Sequence, residues 1–284
     1  MRRARAEILS SRRSGAYTSL TVVAPEIADR ARPGQFLAVA MPEGRAFFLR
    51  RHFSIHQSSR RGGWAGTLEF AFDRHGAGTD WLARREPHEF LDLVGPLGTA
   101  FAYPRRLSNC LLVAEGHGAA SMYFLAQELR ARGKRVDLVV GGADIEHILK
   151  PIEAKRLSQT IAFVTEDGSM GERGSVVDVV PEMIARSGSE VVYGAASNET
   201  LRALARVCRD RRLPAQVAVE ERMGCGLGLC FTCAVPLVRR DGGGRERLRA
   251  CLEGPVFNPA RILWDEWLGP AAGAEPATVR AGHA

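Results

Sequence analysis

The sequence predicts an antiparallel β-barrel, then an α/β domain with a parallel sheet, then a small cysteine-bearing lobe. Three observations carry that reading. Roughly the first hundred residues form short segments alternating apolar with polar at period two. From about residue 104 strand-like and helix-like patterns alternate. Four of the six cysteines then crowd into the last quarter of the chain. The boundaries expected are 1–103 for the barrel, 104–216 for the Rossmann-like domain and 217–268 for the cysteine segment, with a disordered tail over 269–284.

In the first region "AYTSLTVVA", "GQFLAVAM", "RRHFSIHQ", "GTLEFAFD" and "HEFLDLVGPLG" read as strands separated by turns. Many short strands need protected edges, and a closed barrel supplies them. Next, "NCLLVAEGHG" is a buried strand running into glycines, and "AASMYFLAQELRARGK" has helical spacing with a basic end. "RVDLVVGGAD", a helical stretch around Ile145 to Leu157, "TIAFVTEDGS", "SVVDVVPEMIARSG", "EVVYGAAS" and "NETLRALARVCRDRR" continue the alternation. "PAQVAVEERMGCGLGLCFTCAVPL" is a strand leading into the cysteine loop, and the Ala-, Gly- and Pro-rich end lacks bulky apolar residues.

At 284 residues, 45% hydrophobic and 25% charged, the composition is that of a globular protein. The longest apolar runs, such as Asn109–Ala114 and Val176–Val180, are far shorter than the roughly 20 residues needed to cross a bilayer. The basic start has no apolar segment after it, so the expectation is a cytoplasmic protein without a signal peptide. The net charge of +7 resides almost wholly on arginines scattered in pairs among acids. That pattern argues against a nucleic-acid surface and leaves some attraction for anionic cofactors or acidic partners.

Cys225, Cys230, Cys233 and Cys251 are spaced as CxxxxCxxC with a fourth cysteine downstream, the plant-type ferredoxin spacing for a [2Fe–2S] cluster. Zinc is the rival ligand, although structural zinc sites usually pair cysteines as CxxC and need fewer glycines. Gly224, Gly226 and Gly228 let the backbone adopt unusual φ values and approach a cluster closely. Cys110 and Cys208 lie in apolar or helical contexts and read as core residues.

The cysteine loop, the gap to Cys251 and the "CLEGPVF" that follows together resemble the electron-transfer subunits of class 1B dihydroorotate dehydrogenases, within the ferredoxin reductase superfamily. The resemblance covers about residues 5 to 268. It implies FAD in the barrel, a [2Fe–2S] cluster on Cys225, Cys230, Cys233 and Cys251, and electrons passing from NADH to a partner's flavin. "RRHFSI" resembles the family's flavin motif and places Arg51, His52, Phe53 and Ser54 at the cofactor. An arginine there can pair with pyrophosphate and a hydroxyl can reach the ring edge. "PGQF", "GAGT" and "GPLGTAF" stand in the family's order, and Gly78 and Thr79 match its phosphate-contacting pair. Ala71, Phe72 and Asp73 occupy the strand where the family often carries a base, with Arg74 the nearest substitute.

The nucleotide motifs depart further. In "VAEGHGAAS", Gly116 and Gly118 keep the glycine turn that the resemblance assigns to a pyrophosphate, but Glu115 replaces a glycine and Ser121 a proline. A carboxylate about 4 Å from a pyrophosphate charge is repelled by roughly 4 kcal/mol at an effective dielectric near 20. "YGAAS" from Tyr193 stands in place of Cys-Gly-Pro, where a tyrosine can stack on a nicotinamide or block it, whereas "TEDGSMGERG" keeps the acidic-Gly-Ser loop. No basic cluster follows "GGAD", which favours NAD over NADP.

The expected function is that of an electron-transfer subunit in a hetero-oligomer, its partner an FMN-containing dihydroorotate dehydrogenase catalytic subunit. One alternative keeps the cofactors in another redox complex, of the hydrogenase or electron-bifurcating type, with altered nucleotide binding. Another is an assembly protein that keeps the cluster as a structural clasp and binds no FAD.

Overall fold

The computed structural model describes residues 1–42, 48–103 and 106–270. Of the tail expected over 269–284, residues 271–284 lie outside the described residues.

Six antiparallel strands close a barrel: β1 (Arg2–Ser14), β2 (Tyr17–Val23), β3 (Phe36–Val39), β4 (Arg51–Ser59), β5 (Thr67–Asp73) and β6 (Phe90–Leu97), in the order β1-β2-β5-β4-β3-β6. The sequence reading missed β1 because its arginines masked a period-two pattern. Ala4, Ala6 and Ile8 turn inward while the charged Arg5 and Glu7 between them face out. Leu20, Val22, Leu37, Phe70 and Leu93 complete the barrel core. Two short helices, α1 (Pro25–Ala28) and α2 (Ala77–Ala83), cover it, and α2 occupies what read as a turn.

The second layer is a sheet containing β7 (Asn109–Glu115), β8 (Arg135–Gly142), β9 (Thr160–Thr165), β10 (Glu172–Arg173), β11 (Val191–Ala195) and β12 (Ala215–Ala218). All of these pair in parallel, in the order β10-β9-β8-β7-β11-β12. Near-continuous apolar runs such as Cys110–Ala114 are buried, as a sheet covered on both faces requires. Helices α3 (Ala119–Arg130), α4 (Pro151–Leu157), α5 (Val176–Ser187) and α6 (Asn198–Asp210) cover it. Ser175 opens α5 with a capping box closed by Asp178, and Gly188 ends it in the left-handed region at φ 62°. Cys110 and Cys208 are core residues, as expected.

The last segment folds back onto this sheet. A hairpin of β13 (Ala234–Val238) and β14 (Arg245–Arg249) precedes β15 (Val256–Phe257), which joins the sheet antiparallel to β12. A final helix, α7 (Trp264–Leu268), packs beside β13.

Barrel and sheet are bolted together by polar contacts. Tyr17 Oη donates to the His147 carbonyl at 3.2 Å, and the buried His56 ring lies 3.0 Å from Glu153 Oε1. Lys150 pairs with Glu69 across the seam, and Phe124 of α3 joins the barrel core.

Within the barrel, Asp92 on β6 accepts from Arg3 of β1 and from Arg50 at 3.0 Å, tying strands on both sides. Burial opposes its ionisation, but the hydrogen bonds and charges of Arg3 and Arg50 outweigh burial and hold the carboxyl below its ordinary 3.8. A carboxyl lowered in this way stabilises the folded state above the unfolded value, and the contribution is lost as pH falls through the lowered value. Urea unfolding midpoints measured between neutral pH and about pH 3 should fall less steeply for Asp92→Asn than for the wild type.

Candidate cofactor cleft and cysteine loop

At the seam of barrel, sheet and cysteine segment lies a cleft of about 410 Å³. Arg51, His52, Phe53 and Ser54 line it, and so do Ala71, Phe72 and Asp73. Strand alternation divides their roles. Phe53 turns into the barrel and packs on Phe70 and Phe72, with ring centroids 5.3 and 5.4 Å apart, leaving little of itself to the cleft. His52 and Ser54, of opposite parity, face outward to the seam. The Arg51 guanidinium contacts only the neighbouring Leu49 carbonyl, at 3.3 Å, among the described residues, which leaves its fork for an anionic partner.

Gly78 and Thr79 are set back from the cleft. Both are buried in the first turn of α2. The Thr79 hydroxyl is committed there, accepting from the His75 amide at 3.0 Å and donating to the Gly76 carbonyl at 3.1 Å. His75, which the sequence reading passed over, lines the cleft instead. Arg74 does not make up for the missing base, because it turns to Asp80 at 2.9 Å.

On the sheet side Glu115, His117, Gly118 and Ser121 complete the wall. Gly118 is required by a close approach: a Cβ there would lie 2.3 Å from the Ala195 carbonyl oxygen. Ser121 bonds back to the Gly118 carbonyl at 3.0 Å, closing the turn itself. Gly116 takes φ 56°, a left-handed turn position. Tyr193 neither stacks in the cleft nor blocks it. It is buried, edge-on to Phe101, with its hydroxyl donating to the Ala102 carbonyl at 3.0 Å.

The cysteine loop meets the same cleft. Gly226 sits at φ 68°, and a Cβ on it would lie 2.1 Å from His52 Nε2. Gly228 also has positive φ, at 84°, whereas Gly224 does not. Gly224 is needed for space, since a Cβ there would stand 3.0 Å from Cys230 Sγ. Phe231 takes the left-handed φ of 58° without being glycine, so the loop holds some backbone strain.

Backbone amides converge on the sulfurs. Leu227 and Leu229 donate to Cys225 Sγ at 3.3 Å, and Cys225 donates to Cys230 Sγ at 3.4 Å. The Thr232 hydroxyl reaches Cys230 Sγ at 3.3 Å. That bond and the Cys225 amide favour the thiolate and pull Cys230 down to about 6. Burial and the neighbouring Cys233 thiol push Cys251 up to about 12. Arg249 braces the loop by donating to the Gly228 carbonyl at 2.8 Å while it pairs with Glu253.

Cys225 neighbours Cys230 and Cys233 neighbours Cys251, with Cys225 also close enough to push Cys251 up. Among the described residues no three potential ligands converge on one ion. Two pairs suit two irons with two cysteines each better than one tetrahedral zinc. Donated N–H groups on sulfur are what such a cluster needs to hold its negative charge. The cleft also fits a flavin. The Arg51 guanidinium on its wall, bonded only to the Leu49 carbonyl among the described residues, suits a flavin's pyrophosphate, while His52 Nε2, buried with no hydrogen-bond partner, faces the cysteine loop. Burial lowers His52 to about 4, with the Cys225 carbonyl opposing and Arg51 assisting, so the ring is neutral at neutral pH.

A profile of the iron–sulfur cluster binding domain of dihydroorotate dehydrogenase B matches residues 220–263. The dihydroorotate dehydrogenase B (NAD(+)) electron transfer subunit of Desulforamulus reducens is 34% identical over 242 residues, covering 85% of this chain and 90% of the relative. That of Geobacillus thermodenitrificans is 31% identical over 264 residues, covering 92% and 98%. Among solved structures, the NADH-dependent reduced ferredoxin-NADP oxidoreductase described for flavin-based electron bifurcation superposes with a TM-score of 0.78 at 24% identity, over 93% of this chain and 91% of that one. A ferredoxin reductase of carbazole 1,9a-dioxygenase gives a TM-score of 0.62 at 21% identity over 75% and 67%. These two likenesses establish the ferredoxin reductase-like fold. By its likeness to the curated relatives over most of both chains, the chain belongs to the family of dihydroorotate dehydrogenase B electron transfer subunits.

Proposed function

We propose that the protein is an oxidoreductase subunit that holds FAD in the seam cleft and a [2Fe–2S] cluster on Cys225, Cys230, Cys233 and Cys251, and hands electrons to a dihydroorotate dehydrogenase catalytic chain. The observation that carries this reading is His52, which lines the cleft on one side and presses on Gly226 of the cysteine loop on the other. A flavin bound there would exchange electrons in pairs with a hydride donor and singly with a one-electron cluster. The relatives' name includes NAD(+), which suggests a nicotinamide nucleotide as that donor. The reading divides the chain into flavin-binding, nucleotide-type and cluster-binding parts at about the boundaries expected from the sequence.

The chain's own groups supply binding and positioning. Arg51 offers its fork to the pyrophosphate, and Ser54 a hydroxyl. Neutral His52 offers one donor and one acceptor at the boundary between the two cofactors. The amides of residues 225, 227 and 229 spread the negative charge of the sulfurs, and Arg249 adds a nearby cation. Around the loop Leu229 is 79% and Phe231 59% exposed, with Leu227 and Leu252 beside them. An apolar patch of this kind suits a protein partner docking over the cluster. No described helix is long and apolar enough to cross a membrane, and the reading places the subunit in the cytoplasm.

Metal and flavin analysis of protein purified without oxygen tests the assignment. Two irons, two acid-labile sulfides and one FAD per chain are expected; zinc without iron would refute it. Arg51→Ala should lose FAD on gel filtration while the cluster absorbance stays, whereas a purely structural clasp predicts no flavin in either protein. Gly226→Ala should drive a methyl into the His52 ring and lower iron content with the secondary structure intact by circular dichroism.

A further inference from the structure

The parallel sheet winds in one direction from β7 through β8 to β9 and then restarts at β11 on the other side of β7. Ligands of such sheets bind in the crevice beyond the carboxyl ends of the strands at this switch point. Two cavities open there. One is the seam cleft, and the other, of about 400 Å³, is lined by Gly142, Glu166, Gly174, Ser175 and Thr200 among others. Glu115, the last residue of β7, is the one described residue that lines both.

Its carboxylate crosses the switch point. Oε2 accepts from the Ser197 amide at 3.1 Å and from the Thr200 hydroxyl at 3.0 Å, tying the end of β7 to the first turn of α6. Two donors at that helix start are thereby taken by an anion of the protein itself, and the Thr200 amide is taken by Ser197 Oγ. The Glu115 backbone is extended, at φ −134° and ψ 133°, so glutamine or glycine fits there without strain.

Resting on the flavin reading of the cleft, we infer that Glu115 holds the seat of a dinucleotide's pyrophosphate and is the residue that sets this chain's affinity for NADH. A dinucleotide with its nicotinamide toward the flavin cleft and its adenosine in the second cavity must cross at this carboxylate. To do so it must displace two hydrogen bonds and bring negative charge beside negative charge. No lysine or arginine is among the described residues lining the second cavity, and Glu166 is, so the lining offers a 2′-phosphate no cation.

The test is the affinity for oxidised NAD+, which binds without reacting, measured by calorimetric titration of the wild type, Glu115→Gln and Glu115→Gly. Glycine, which removes the charge and joins the two cavities, should tighten binding at least about tenfold, with glutamine between. Equal affinities in all three would overturn the inference, and low-micromolar binding by the wild type would do so without any variant. Flavin and cluster absorbance are recorded on the same samples. Their absence would count against the proposed cofactors, whereas the ranking of the three affinities reads Glu115 alone.

Discussion

The organisation of this protein depends on one steric constraint, the contact between the His52 ring and a loop position that tolerates no side chain. Gly226 meets both demands of that contact, since its φ of 68° is left-handed and it lacks the Cβ that would stand 2.1 Å from Nε2. With the loop seated against β4, the cysteines and the cleft share a wall. FAD in the cleft and a cluster on the loop, as proposed, would be neighbours across that wall, as stepwise electron transfer needs.

The rest of the fold serves that arrangement. Barrel closure fixes β4, and Asp92 of β6 ties β1 through Arg3 and the entry to β4 through Arg50. The seam contacts of Tyr17, His56, Glu153 and Lys150 hold the sheet against the barrel, so the carboxyl ends of β7 and β11 face the cleft. Strand β15 returns the chain after Cys251 to the sheet, anchoring the far end of the cysteine segment. The sulfurs gain their charge stabilisation from local amides, which explains why the loop is dense in glycine while its outer surface carries Leu229 and Phe231.

Much of this was legible in the sequence, for physical reasons that differ by region. Period-two alternation and buried runs followed by helical spacing gave the barrel and the parallel sheet, and the cysteine spacing gave the loop. What the sequence hid were features set by contacts between distant residues. The arginines of β1 concealed a strand whose inward positions carry only Ala4, Ala6 and Ile8. Thr79 looked available to a phosphate, yet its hydroxyl closes its own helix start. Tyr193 sat at a suggestive motif position but turns into the core under Phe101. The partners of Glu115 lie 82 and 85 residues away, so its oddity was visible while its role was not. Gly224 was correctly suspected, but crowding at Cys230 rather than unusual φ requires it.

The account stands or falls on electrons crossing from cleft to loop within one chain. Flash photoreduction of the bound flavin, followed at the cluster absorbance over a series of protein concentrations, measures that step directly. The account predicts first-order bleaching of the cluster at a rate unchanged by dilution. A rate that scales with protein concentration would mean that electrons travel between molecules, and would contradict the placement of both cofactors at His52.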